Sequence, residues 1–156
     1  MKNKELFKIL TKQGKIITFA ESITGGALAS NLVSIAGASN VIKESYIVYN
    51  EVSKQSILEV SPDFIKRYGL VSREVSEAMN EGLKKITKAD VYVSITGNAG
   101  PTYQSGHVEK AAYVAIECVH TKQVFKIDLK SKSRQKNIRK AVAQTYKHII
   151  EVLNNK

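Results

Sequence analysis

Leu6, Ile9 and Leu10 recur at helical spacing between charged positions, which predicts a short amphipathic helix over residues 4–12 ended by Gly14. Residues 15–20 (KIITFA) are β-branched and aromatic and read as a buried strand. ALASNLVSIAG, residues 27–37, reads as a helix ending at Gly37, and SYIVYN, residues 45–50, as a second strand. Residues 51–60 are helical with an irregular stripe. Ser61-Pro62-Asp63 then carries a serine cap, a proline at the first helical position and an acid in the first turn, so a short helix runs on to Gly69.

Ser72 can cap the next helix, whose apolar stripe is Val75, Ala78, Met79, Leu83 and Ile86. Residues 90–96 (DVYVSIT) form a third strand and lead into a loop from Gly97 to about Glu109. Residues 112–119 and 123–129 are two strands joined at 120–122, a hairpin. The last helix starts near Ser133 and sets Ile138, Val142, Thr145, Ile149 and Leu153 on one side. Helices and strands alternate early and a hairpin closes the set. The expected fold is α/β, a three-layer α/β/α sandwich with a mixed sheet.

The 156 residues suit a single domain, 1–156, and a chain that is 43% hydrophobic and 24% charged is neither disordered nor fibrous. The apolar runs are too short to span a bilayer, and the N-terminus is broken by charges where a signal peptide needs an apolar run. The single cysteine, Cys118, leaves no internal disulfide and fits a reducing, cytoplasmic setting. Net charge is +10, and residues 121–156 hold ten Lys/Arg against two acids. A basic end of this kind raises a polyanion partner. KSKSRQKNIRK lacks interleaved aromatics, however, and is read as a solvated basic face, so neither nucleic acid nor membrane is expected.

Two strand ends spill into glycine-bearing turns, where ligands of α/β sheets usually bind. In TFAESITGG (18–26), Ser22 lies beyond a strand and before a helix whose free N–H groups could hold an oxyanion or a phosphate. The plainer reading is that Ser22 or Thr24 caps that helix. In SITGNAGP (94–101), Thr96 ends a strand between two glycines and a proline. A serine nucleophile needs a base. His107, His120 and His148 lie in a loop, a turn and a helix with nothing to nominate them, so surface placement is expected for each. A lysine made neutral by burial is the other option, and composition cannot choose one. No cluster has metal-ligand spacing, so no metal is expected.

Ala20-Glu21-Ser22-Ile23-Thr24-Gly25-Gly26 closely resembles the A-E-S-C-T-G-G signature of the CinA C-terminal-domain family, the nicotinamide mononucleotide deamidases. The resemblance continues in order. Val48-Tyr49-Asn50-Glu51-Val52-Ser53-Lys54 is similar to V-Y-S-N-E-A-K, residues 70–75 to A-V-S-E-E-V, and Thr96-Gly97-Asn98-Ala99-Gly100-Pro101 to T-G-I-A-G-P. Arg134 and Arg139 lie where the family has a G-D-R-x-x-I-R-like helix opening.

That resemblance implies an amidohydrolase that converts nicotinamide mononucleotide to nicotinate mononucleotide and ammonia without a cofactor. Ser22 would be the nucleophile, Lys54 its base, Tyr49 a residue orienting or tuning the pair, and Thr96 a group binding or polarising the carboxamide. Substrate binding would fall to Glu21, Thr24, Gly25, Gly26, Gly97 and Gly100, with Arg134 or Arg139 at the phosphate. The helix start after Ser22 would serve as the oxyanion hole, and a homo-oligomer is expected by analogy. The chain departs from the pattern at Ile23, at Asn98 (Ile in the motif), at Ser133, and through residues 102–111, where a glycine run and P-E-K-P-V-G-T are replaced. The alternative is a catalytically silent module of the same fold that binds a nucleotide, DNA or a protein partner.

Overall fold

Ile17 to Glu21 form β1, buried at all five positions, as expected of a central strand covered on both faces. It lies in a computed structural model that describes residues 1–102 and 109–155. Five strands make one sheet in the order β2-β1-β3-β4-β5. β2 (Ile42–Ile47) and β3 (Val91–Gly97) flank β1 in parallel, and β4 (Ala111–Cys118) and β5 (Thr121–Asp128) continue antiparallel.

One face is covered by α1 (Lys2–Gln13), α2 (Ala27–Val33) and α6 (Arg134–Asn154). There Leu6, Leu10, Leu28, Leu32 and Ile149 pack on Ile17, Phe19 and Val93. On the other face, α3 (Glu51–Leu58), α4 (Pro62–Tyr68) and α5 (Arg73–Ile86) bring Leu58, Val75, Met79 and Leu83 against Ala20. The three-layer mixed α/β sandwich is therefore present. Among the described residues, no helix is long and apolar enough to cross a membrane.

Ser61 and Ser72 cap their helices as expected, accepting the N–H of Phe64 and Val75, and Ser133 accepts that of Lys136. Other boundaries move. The helix expected to reach Gly37 stops at Val33, because the chain tightens into a 3₁₀ turn at Ala38–Asn40 to deliver Val41 to the sheet edge, where its carbonyl accepts Ile17 N–H. The second strand runs over 42–47, three residues earlier than expected. As an edge strand it has a mostly exposed or half-buried middle, Lys43 to Tyr46, which hides it from a hydrophobic pattern. The hairpin turn is shortened to Val119–His120, since Cys118 pairs with Thr121. Of the α5 stripe, Val75, Met79 and Leu83 are buried, whereas Ile86 is 41% exposed.

The basic end is partly compensated: Lys122 meets Glu81 and Glu117, and Lys126 meets Glu109 and Asp128.

Candidate active site

Ser22 is the first residue past β1. Its N–H donates to the Ile95 carbonyl, continuing the ladder with β3, and the residue is only 6% exposed. Strand alternation sends Glu21 to the opposite face, under α2. The fully buried Glu21 carboxylate accepts the Thr24 hydroxyl at 2.6 Å and the N–H groups of Leu28 and Ala29 at 2.8 and 3.0 Å. Glu21 thus caps α2, a role assigned in sequence to Ser22 or Thr24. The helix start is consequently no oxyanion hole, because its first donors are taken by a carboxylate that would repel an anion. A different donor remains: Ile23 N–H, next along the chain from Ser22, has no acceptor among the described residues. The turn carrying it reverses at Gly25 and Gly26, with φ of 56° and 99°, values that side chains rarely adopt.

Lys54 reaches Ser22 from α3. The chain leaves β2, and Asn50 caps α3 reciprocally with Ser53. The sequence pattern N-x-x-S could have signalled this start. The Lys54 side chain is fully buried, its Nζ 2.9 Å from Ser22 Oγ and donating to the Val48 carbonyl at 2.8 Å. No carboxylate pairs with it among the described residues. Burial disfavours the charged form and pulls the amine down to about 8, with Glu51 one turn away acting weakly in the opposite sense. The free base is thereby brought closer to neutral pH than in an exposed lysine.

Tyr49 is 55% exposed, and its hydroxyl accepts from Arg134 Nη2 at 2.8 Å. Next to the pair stands its main chain, with the carbonyl 3.5 Å from Ser22 Oγ. Arg134 also donates from Nη1 to the Gly100 carbonyl at 2.7 Å, so one guanidinium ties α6 to both flanking segments. Arg139, exposed five residues on, lies on another face of α6. Thr96 is buried and donates its hydroxyl to the Leu70 carbonyl at 2.8 Å.

Ser22, Ile23, Tyr49, Gly97, Asn98 and Arg134 line a recess of about 30 Å³. A Cβ on Gly97 would sit 2.8 Å from both Ala111 O and Ile23 Cδ1, so only glycine lets the turn close on the strand. Asn137 was not singled out in sequence. Buried in a charged helix opening, it donates to the Ala99 carbonyl and accepts Ser131 N–H, holding the loop after β3 in place.

A larger concavity, about 740 Å³, lies elsewhere, between α5 and the β4–β5 strands. Its lining has no serine, threonine, cysteine or histidine. His120 is exposed, whereas His148 is mostly covered, stacked on Phe125 at 4.0 Å and meeting Glu151. His107 and most of the altered 102–111 stretch lie outside the described residues.

The CinA C-terminal domain matches residues 2–153. A CinA-like protein of Petrotoga mobilis is 48% identical over 100 residues, covering 64% of this chain and 25% of the relative. One of Pseudothermotoga lettingae is 33% identical over 141 residues, covering 90% and 34%. The chain thus spans about a third or less of these curated relatives. Among solved structures, a competence or damage-inducible protein from Enterobacter asburiae superposes with a TM-score of 0.91 at 27% identity, covering 98% of this chain and 96% of that one. With the family matched over nearly every residue, this chain belongs to the CinA C-terminal domain family.

Proposed function

We propose that the chain is an amidohydrolase that deamidates nicotinamide mononucleotide, with Ser22 as nucleophile and Lys54 as general base. The observation carrying this reading is the buried Lys54 amine at 2.9 Å from Ser22 Oγ, with no carboxylate partner among the described residues to keep it charged. With one N–H donated to the Val48 carbonyl, the free amine directs its lone pair at the serine hydroxyl.

The reaction follows from those positions. Ser22 Oγ attacks the carboxamide carbon while its proton passes to Lys54 Nζ, and the carbonyl π pair moves onto oxygen, where Ile23 N–H can meet it. Collapse of the adduct breaks the C–N bond, and the proton on Lys54 goes to the leaving nitrogen, releasing ammonia. Water then attacks the ester, giving one proton to Lys54. That proton returns to Ser22 Oγ as the C–O bond to serine breaks, and the carboxylic acid released gives its remaining proton to solvent. Arg134, exposed at the mouth of the recess, supplies positive charge for the substrate phosphate.

Ammonia release from nicotinamide mononucleotide by purified protein, beside Ser22→Ala, tests the reading. Turnover lost in the variant supports it. A folded wild type that binds the nucleotide without turnover would overturn it in favour of the silent module.

A further inference from the structure

Asn98 is the first residue beyond β3 and is 4% exposed. Its main-chain N–H donates to the Ala111 carbonyl, and its side-chain Oδ1 accepts Gly100 N–H at 3.0 Å. That second bond settles which way the amide faces, since a flipped amide would set two donors against each other. The end left over is Nδ2. It is buried and has no acceptor among the described residues.

Buried amide donors are nearly always paired, so an unpaired one beside a nucleophile calls for an account. Asn98 and Ser22 line the same recess, whose volume of about 30 Å³ admits a group of one or two heavy atoms. A group that small, with an electrophilic atom for Ser22 and an acceptor for Nδ2, is a carbonyl.

We propose that Asn98 Nδ2 donates to the oxygen of the scissile amide and, with Ile23 N–H, forms the oxyanion hole. The assignment rests on the amidohydrolase reading of Ser22 and Lys54. As the Oγ–C bond forms, the π pair localises on that oxygen and the hydrogen bond from Nδ2 strengthens. Collapse returns the pair and expels ammonia. Asn98 neither gives nor takes a proton, so it stabilises charge in the transition state more than in the bound amide. The motif this segment resembles has isoleucine at the position, so asparagine adds a side-chain donor there. The carbonyl is still read with Glu21 committed to α2, which takes the helix start out of play.

The test is steady-state ammonia release from nicotinamide mononucleotide by wild type, Asn98→Leu and Asn98→Asp, with Ser22→Ala as the blank. Leucine matches the size and removes the donor. Aspartate removes the donor and keeps the acceptor for Gly100 N–H, so it decides the matter if the leucine variant fails to fold. At the alkaline plateau both variants should lose about 100-fold in kcat, with KM changed less than about threefold. The pH midpoint of Asn98→Leu should stay at the wild-type value. Variants within about threefold of wild-type kcat, or a loss confined to KM, would overturn the oxyanion assignment while leaving the amidase reading intact. Absence of Ser22-dependent ammonia from the wild type would overturn that reading, and this assignment with it.

Discussion

Lys54 Nζ lies 2.9 Å from Ser22 Oγ across 32 residues of sequence. The approach is made by the sheet. β2 pairs with β1 in parallel, and the 48–50 turn then drops α3 over the end of β1, so its fourth residue meets the first residue past that strand. Burial of the amine follows from this placement, and its lowered proton affinity follows from burial.

The pH dependence of turnover follows directly. Because the free amine is the working form, kcat/KM should rise with pH to a plateau with a midpoint of about 8. Glu51 favours the charged amine, so Glu51→Gln should move the midpoint to lower pH. A wild-type midpoint near 10 in the pH–rate profile would contradict this.

Lys54→Met should abolish ammonia release and raise stability at neutral pH. The amine holds its proton more weakly folded, at about 8, than unfolded, at 10.5. Below pH 8 the native state buries a charge at full cost, and wild-type stability rises between pH 8 and 10.5 as that proton leaves. Methionine removes the dependence. In urea unfolding the variant should gain about 1–3 kcal/mol over wild type at pH 7, with the gap closing towards pH 10.

Gly82→Ala should damage the site from a distance. An added Cβ would stand 2.0 Å from the Leu58 carbonyl, main chain that cannot swing aside. α3 must then shift off α5 and take Lys54 with it. We expect a loss of about 2 kcal/mol or more in stability, and a fall of at least tenfold in kcat, measured at a temperature where the variant is folded.

Glu21→Ala should act on the fold, leaving two N–H groups of α2, that of Leu28 buried, and the Thr24 hydroxyl without their acceptor, at about 2–4 kcal/mol. Glu21→Gln keeps one acceptor oxygen and should cost about half as much. Equal stability of the alanine variant and wild type in urea would refute the capping role.

Arg134 and Tyr49 should respond unequally. Lysine cannot bridge Gly100 O and Tyr49 Oη as the guanidinium does, so Arg134→Lys should lower kcat/KM about tenfold. Tyr49→Phe removes a single exposed bond and leaves the main chain near Ser22, so the loss should stay within about threefold.

Much of this molecule was legible in its residues. Ser61, Ser72 and Ser133 announce three helix starts because a cap is a contact within four residues. The β1 run declares a covered strand because both its faces are apolar, and the A-E-S-x-T-G-G signature marks the turn after it. Local pattern misplaced β2, whose pairing with β1 rests on main-chain bonds that an edge strand needs few apolar side chains to make. It also gave the α2 cap to Ser22 or Thr24 and missed Glu21, which reaches that helix only because strand alternation turns it under the sheet.

What the sequence determined by itself is the set of short-range and periodic features: the helices, the buried strands, the layered α/β class and the Ser22 turn, each encoded within a few neighbouring residues. What only the tertiary structure decided is that Lys54, the one of 20 lysines that the resemblance nominated, loses its water and meets Ser22, which arginine faces the recess, and which donor is left unpaired. Those properties belong to burial and to distances between segments far apart in the chain, and desolvation has no value until the layers close.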